Sequence, residues 1–171
     1  ADLAARIVPY LVDAGVVTLA GLSIANGRAL HGDGGIDNLG GGILNEGSLT
    51  VRNCIIASNA AREEDGGNGF GGGIFTYGPL TILDSTIRGN EANYAGGGIC
   101  TFHSEDVRIE RCTISGNFAG IQGGGVNFHG RTGSLKNCTI SGNRTAEKGT
   151  ASALLHIVFE SEVSDLTLTT C

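Results

Sequence analysis

Short alternations of apolar and polar residues, each only three to five positions long, recur along the whole chain. Val17/Leu19, Leu49/Val51, Leu80/Ile82 and Val107/Ile109 are apolar pairs separated by one residue, and each is followed at a fixed distance by a second pair. The second pairs are Leu22/Ile24, Cys54/Ile56, Ser85/Ile87 and Cys112/Ile114, and Cys138/Ile140 recurs one coil later behind Leu135, where Gly133 breaks the first pair. Alternation places both members of a pair on one face of a strand. Between the two pairs the parity changes, which requires a corner, and Asn53, Asp84 and Asn137 stand there with Arg111 as the exception. Asn and Asp tolerate left-handed turn conformations. Aligning Leu168 with the motif isoleucines extends the pattern to six rungs, with Leu166 in the cysteine column and Asp165 at the corner.

Glycine supplies the second landmark. Gly40-Gly41-Gly42-Ile43, Gly71-Gly72-Gly73-Ile74, Gly96-Gly97-Gly98-Ile99 and Gly123-Gly124-Gly125-Val126 each precede a motif isoleucine (Ile56, Ile87, Ile114, Ile140), which falls 13 to 15 residues after the β-branched residue. Asn59, Asn90, Asn117 and Asn143 follow those isoleucines by three residues, where stacked amides can form a hydrogen-bonded ladder. Self-similarity at a period of 25 to 31 residues marks a solenoid. The pattern predicts an all-β, right-handed parallel β-helix of about six coils with three short strands per coil. Residues 1–171 read as one domain, with an irregular first coil over 1–40 and a divergent last coil over 144–171. There Ala151-Ser152-Ala153-Leu154 replaces the glycine triplet, and Pro9 makes the segment from Arg6 to Val12 read as a strand rather than a capping helix.

Composition narrows the function classes. Thirty glycines without a Gly-X-Y period, in a chain rich in β-branched residues, exclude collagen and disorder. A formal charge of −6 offers no basic stripe to phosphates, so nucleic acid and anionic membrane surfaces are not expected partners. No apolar run approaches the roughly 20 residues of a spanning helix, so no membrane insertion is expected, and the start has no basic leader of a signal peptide. Cys54, Cys112 and Cys138 share one repeat position and read as small core fillers. Cys171 lies outside that column and is the candidate for a covalent link to another molecule.

The Gly-Gly-Gly-Ile and Ser-Gly-Asn repeats resemble those of bacterial right-handed parallel β-helix surface proteins of the pectate-lyase-like superfamily, polymorphic outer-membrane proteins among them. The likeness is strongest over residues 13 to 143. It implies a secreted or cell-surface location. It leaves function open, because the scaffold carries adhesins, stalks, lyases and hydrolases.

Acids do not recur at one offset on neighbouring rungs, as the facing carboxylates of a glycosidase would require. Glu63-Glu64-Asp65 reads as a solvated loop, and His31-Gly32-Asp33-Gly34-Gly35-Ile36-Asp37 is a single imperfect copy of a calcium turn, so no cofactor is expected. Tyr77, Phe102 and His129 share a column with Glu46 and form an outward strip suited to sugars or to a neighbouring surface. Thr113/Ser115, Thr139/Ser141 and Thr167/Thr169 suggest two files of hydroxyls, the pattern of an ice-binding face. The leading expectation is a non-catalytic extracellular structural protein: a filament subunit associating end to end, or an adhesin-type passenger. A polysaccharide-binding or polysaccharide-degrading protein and an ice-binding solenoid are the alternatives.

Overall fold

The structure is a computed structural model that describes residues 15–29, 37–62, 68–147, 152–156 and 165–169. Its strands form stacked parallel sheets wound as a solenoid. The first sheet contains Ile43–Asn45, Ile74–Thr76, Ile99–Thr101, Val126–Phe128 and Leu154–His156. The second, of six strands, runs through Val16–Ala20, Ser48–Arg52, Leu80–Leu83, Val107–Glu110, Thr132–Lys136 and Asp165–Thr169. The third holds Ser23–Ala25, Ile55–Ala57, Thr86–Arg88, Thr113–Ser115 and Thr139–Ser141. Among the described residues five coils carry a fourth strand where three were expected: Arg28–Ala29, Ala60–Ala61, Glu91–Ala92, Phe118–Ala119 and Arg144–Thr145 pair in a sheet of their own. These strands are two residues long, too short to leave an alternation in the sequence.

Equivalent residues stack in register. Ile24, Ile56, Ile87, Ile114 and Ile140 form one vertical file, and all but Ile140 are buried. Leu49, Leu80 and Val107 form a second, and Val51, Ile82, Ile109 and Leu135 a third. The core is therefore a column of identical layers with strand spacing of about 4.8 Å. The last coil departs from the expected alignment. Leu168 stacks on Leu135 and not on Ile140, and Asp165 pairs with Thr132 inside a strand instead of standing at a corner. An apolar-x-apolar pair fits either of two columns, and the 33-residue step from Leu135 to Leu168 exceeds the two coils just before it, of 27 and 26 residues, by several residues.

Corner chemistry explains the invariant positions of the repeat. Asn53, Asp84, Arg111 and Asn137 all take left-handed backbone with φ between 49° and 54°. Arg111 accepts that conformation while gripping Asp84 one coil away through paired contacts of 2.6 and 2.8 Å. This pairing holds the Asp84 carboxyl below its ordinary range, first by hydrogen bonding and then by charge. At the next corner the asparagines point inward. The Asn117 amide nitrogen donates to the carbonyl of Ile87 at 3.1 Å and to Oδ1 of Asn143 at 2.9 Å. Its own oxygen accepts from both the backbone and the side chain of Asn90. Asn59 and Asn90 repeat the arrangement, and Gly27 begins it by donating its N–H to Asn59. The glycine triplets crowd against this ladder: a Cβ on Gly73 would stand 2.6 Å from the carbonyl oxygen of Gly98, and Gly71 has φ +64°. No other residue fits there.

The stacked cysteines do more than fill space. The thiols of Cys54, Cys112 and Cys138 lie 3.2, 3.1 and 3.3 Å from the carbonyl oxygens two residues earlier. Ser85 makes the same contact with its hydroxyl at 2.7 Å. These four side chains give a second contact to corner carbonyls that already accept a backbone N–H from the preceding coil. All three thiols are buried and unbridged, and so is Cys100. Burial pushes the Cys112 thiol up from 9.0 to about 11, and burial raises Cys100 as well. Cys171 lies outside the described residues.

Asn117→Ala should destabilise the protein by about 3 kcal/mol in urea unfolding, because buried partners on both neighbouring coils lose their bonds. Arg88→Gln on the exposed face should stay within about 0.5 kcal/mol of wild type. A raised thiol pKa favours the protonated native state, so its contribution is complete below the unfolded value and fades as pH climbs toward 11. The urea midpoint should therefore fall above pH 9, and fall less in Cys112→Ser. In Cys171→Ser, a thiol-reactive dye at pH 8 should label nothing until the protein is unfolded.

Candidate functional site

The corner between the first and second sheets carries the most distinctive surface. Strands Ile74–Thr76 and Ile99–Thr101 lie in register, so Tyr77 and Phe102 follow them on adjacent rungs. The backbone at this corner is pinned from below. The N–H of Tyr77 donates to the carbonyl of Asn45 at 2.9 Å, that of Phe102 to Thr76 at 2.8 Å, and that of His129 to the Thr101 hydroxyl at 2.8 Å. Asn45, Thr76 and Thr101 are fully buried, and Asn45 donates to the Thr76 hydroxyl at 2.8 Å. This polar file inside the corner holds the outward residues in place.

The rings form a chain of edge contacts. Tyr77 and Phe102 have centroids 5.9 Å apart at 88°, and Phe102 and His129 lie 4.8 Å apart at 81°. The structure brings these three expected residues together and places the exposed Glu46 one rung before Tyr77. It also adds Phe70, Phe75 and Tyr94, which the sequence reading missed, and seats His103 beside His129, as their places in the repeat suggest. Phe75 meets Tyr77 at 4.9 Å, Phe70 meets Tyr94 at 4.9 Å, and His103 stands 4.6 Å from Phe102 and 5.4 Å from His129. His103 reaches this position through left-handed backbone, φ +55°.

Phe75 belongs to a second apolar cluster with Leu44 and Cys100, on the face of the first sheet opposite the core. The two-stranded sheet of Asp37–Leu39 and Asn68–Phe70 contributes Leu39 and Phe70 as its cover. Between Leu39, Phe70, Phe75, Tyr77 and Phe102 the cover leaves a shallow apolar groove of about 90 Å³. Tyr77 is 40% exposed at its rim, whereas His129, expected to face outward with it, is buried at the far end of the strip at 9% exposure. The outward direction of Phe75 was readable from its alternation with Ile74, but its burial depends on strands from elsewhere in the coil.

Other expected features fare differently. Thr86, Thr113 and Thr139 form one file of hydroxyls and Ser115 and Ser141 a second, interrupted by Arg88. Thr167 and Thr169 do not extend it, because they stack on Ser134 and Lys136. Among the described residues no group of three or more His, Cys, Asp or Glu converges as metal ligands. The Glu63-Glu64-Asp65 run and the His31–Ile36 part of the calcium-like turn lie outside the described residues. Asp84 and Glu110, carboxylates on adjacent rungs, are both engaged by Arg111.

No helix among the described residues is long and apolar enough to cross a membrane. No curated protein and no solved structure matches the chain. A family model described as the right handed beta helix region matches residues 10–169. With that match over nearly the whole chain, and with parallel coils stacked in register beneath it, the protein belongs to the right-handed β-helix family.

Proposed function

We propose that the chain is a non-catalytic, extracellular or cell-surface β-helix whose lateral aromatic strip binds a glycan, in the manner of an adhesin. The stacking of Tyr77, Phe102 and His129 on successive rungs beside an apolar groove carries this reading. Sugar rings offer C–H faces to aromatic side chains and hydroxyls to polar neighbours, and here half-exposed rings lie between Glu46 and His103. A rigid rod whose rungs repeat every 4.8 Å or so suits an extended polymer better than a compact ligand. The resemblance of the Gly-Gly-Gly-Ile repeats to bacterial surface proteins of the pectate-lyase-like superfamily supports the location. The engagement of Asp84 and Glu110 by one arginine supports a binding role over hydrolysis, since a general acid and base must face an open substrate.

A second reading, end-to-end association, is favoured by the outermost strands of the six-stranded sheet. Among the described residues, Val17 and Leu19 at one end are only partly buried and Leu168 at the other is 54% exposed, although their counterparts Leu49, Val51 and Leu135 are buried. Edges of this kind accept another strand.

On a glycan array the protein should bind a restricted set of polysaccharides. Tyr77→Ala and Phe102→Ala should each weaken that binding by about tenfold or more, the loss expected of a stacking anchor. Tyr77→Ala should leave the urea midpoint nearly unchanged because the ring is partly exposed. Unaltered binding in both variants, or no glycan bound by the wild type, would remove the strip from consideration. Light scattering at rising concentration checks the second reading: a constant monomer mass counts against it.

A further inference from the structure

At the corner between the third and fourth sheets lies a polar cleft that the aromatic strip does not touch. Arg28, Ala60 and Glu91 occupy equivalent positions on three successive rungs, followed by Phe118 and Arg144. Ala60 is the one small side chain in that file, and Gly89 on the adjoining turn projects none, with open space where a Cβ would stand. The resulting gap measures about 250 Å³, and Asn26, Arg28, Ser58, Arg62 and Glu91 line it. It is thus smaller than the usual pocket for a drug-sized molecule and on the scale of a single sugar unit.

Its charge is opposite to that of the chain. Two guanidinium groups face one carboxylate, a local excess of one positive charge on a protein of formal charge −6. Arg62 pairs with Glu91, whereas Arg28 makes no ion pair among the described residues. A guanidinium presents forked N–H donors that match the oxygens of a tetrahedral oxyanion. The Ser58 hydroxyl, the Asn26 amide and the Glu91 carboxylate offer the mixed donors and acceptors that sugar hydroxyls need.

We propose that this cleft is a binding site for a sugar-sized ligand bearing a sulfate or phosphate ester, with the oxyanion on Arg28 and the hydroxyls toward Ser58 and Glu91. The site stands apart from the aromatic strip and does not depend on the reading given to it.

Titration of the full chain with glucose 6-sulfate, glucose 6-phosphate, glucose and inorganic phosphate, followed calorimetrically and by amide NMR shifts, tests the assignment. At least one ester should saturate below about 10 mM, with shifts centred on residues 26–28, 58–62 and 89–91. The tighter ester identifies the source of the anion. Raising salt from about 0.05 to 0.5 M should weaken the binding, as for an exposed charge pair. Arg28→Gln, an exposed change that leaves the core intact, should cost about tenfold in affinity. Ala60→Phe, which copies the residue already present at Phe118, should fill the cleft and abolish binding. Glucose binding as tightly as its esters, no saturation by either ester, or full affinity in both variants overturns the proposal. Inorganic phosphate matching the esters would refute the sugar-sized part of it.

Discussion

Because each strand pairs in parallel with its counterpart one coil away, every side chain meets its own repeat equivalents above and below. A slip of one residue would turn a whole apolar file outward and its polar neighbours inward. The molecule therefore depends on devices that hold register, and the asparagine file from Asn59 to Asn143 is the chief of these. Each interior amide uses both donors and takes two bonds on its oxygen, so the corner is satisfied only when the coils are aligned. The glycine triplets beside it are the counterpart of that demand. Their missing side chains let neighbouring coils approach until a Cβ would strike a carbonyl oxygen.

The same register makes the surface. A file of equivalent positions on the outside is a straight line of side chains parallel to the solenoid axis, and its chemistry is set one residue per coil. Glu46, Tyr77, Phe102 and His129 show what this allows: the scaffold repeats while the outward file changes at each rung. Ala60 between Arg28 and Glu91 shows the converse, since one small residue in a file of large ones opens a cleft. Function on such a frame needs no change in the fold.

Particular residues show how far the chain could be read directly. The files of Ile56, Ile87, Ile114 and Ile140, the asparagine ladder and the strands after each glycine triplet were legible because they repeat at one offset and carry strong local preferences. The thiol column was legible in position but not in role, since hydrogen bonding to the corner carbonyl depends on the direction of the Sγ atom. Of the aromatic strip, Tyr77, Phe102 and His129 could be aligned by counting from the repeat. Phe70 and Tyr94 could not, because they arrive from turns of irregular length.

The amino-acid sequence by itself determined the coil: which residues line it, where it bends, and which glycines and asparagines lock one turn to the next. These are contacts between equivalents, and a repeating chain writes them out as a period. Tertiary structure alone decided that Leu168 rests on Leu135, that five coils carry a fourth strand, and that Leu39 and Phe70 roof the outer cluster beside Tyr77. Those outcomes join positions that are not equivalents. They are settled by how much chain each loop contains and by which apolar surface it finds to cover, and no periodicity records either.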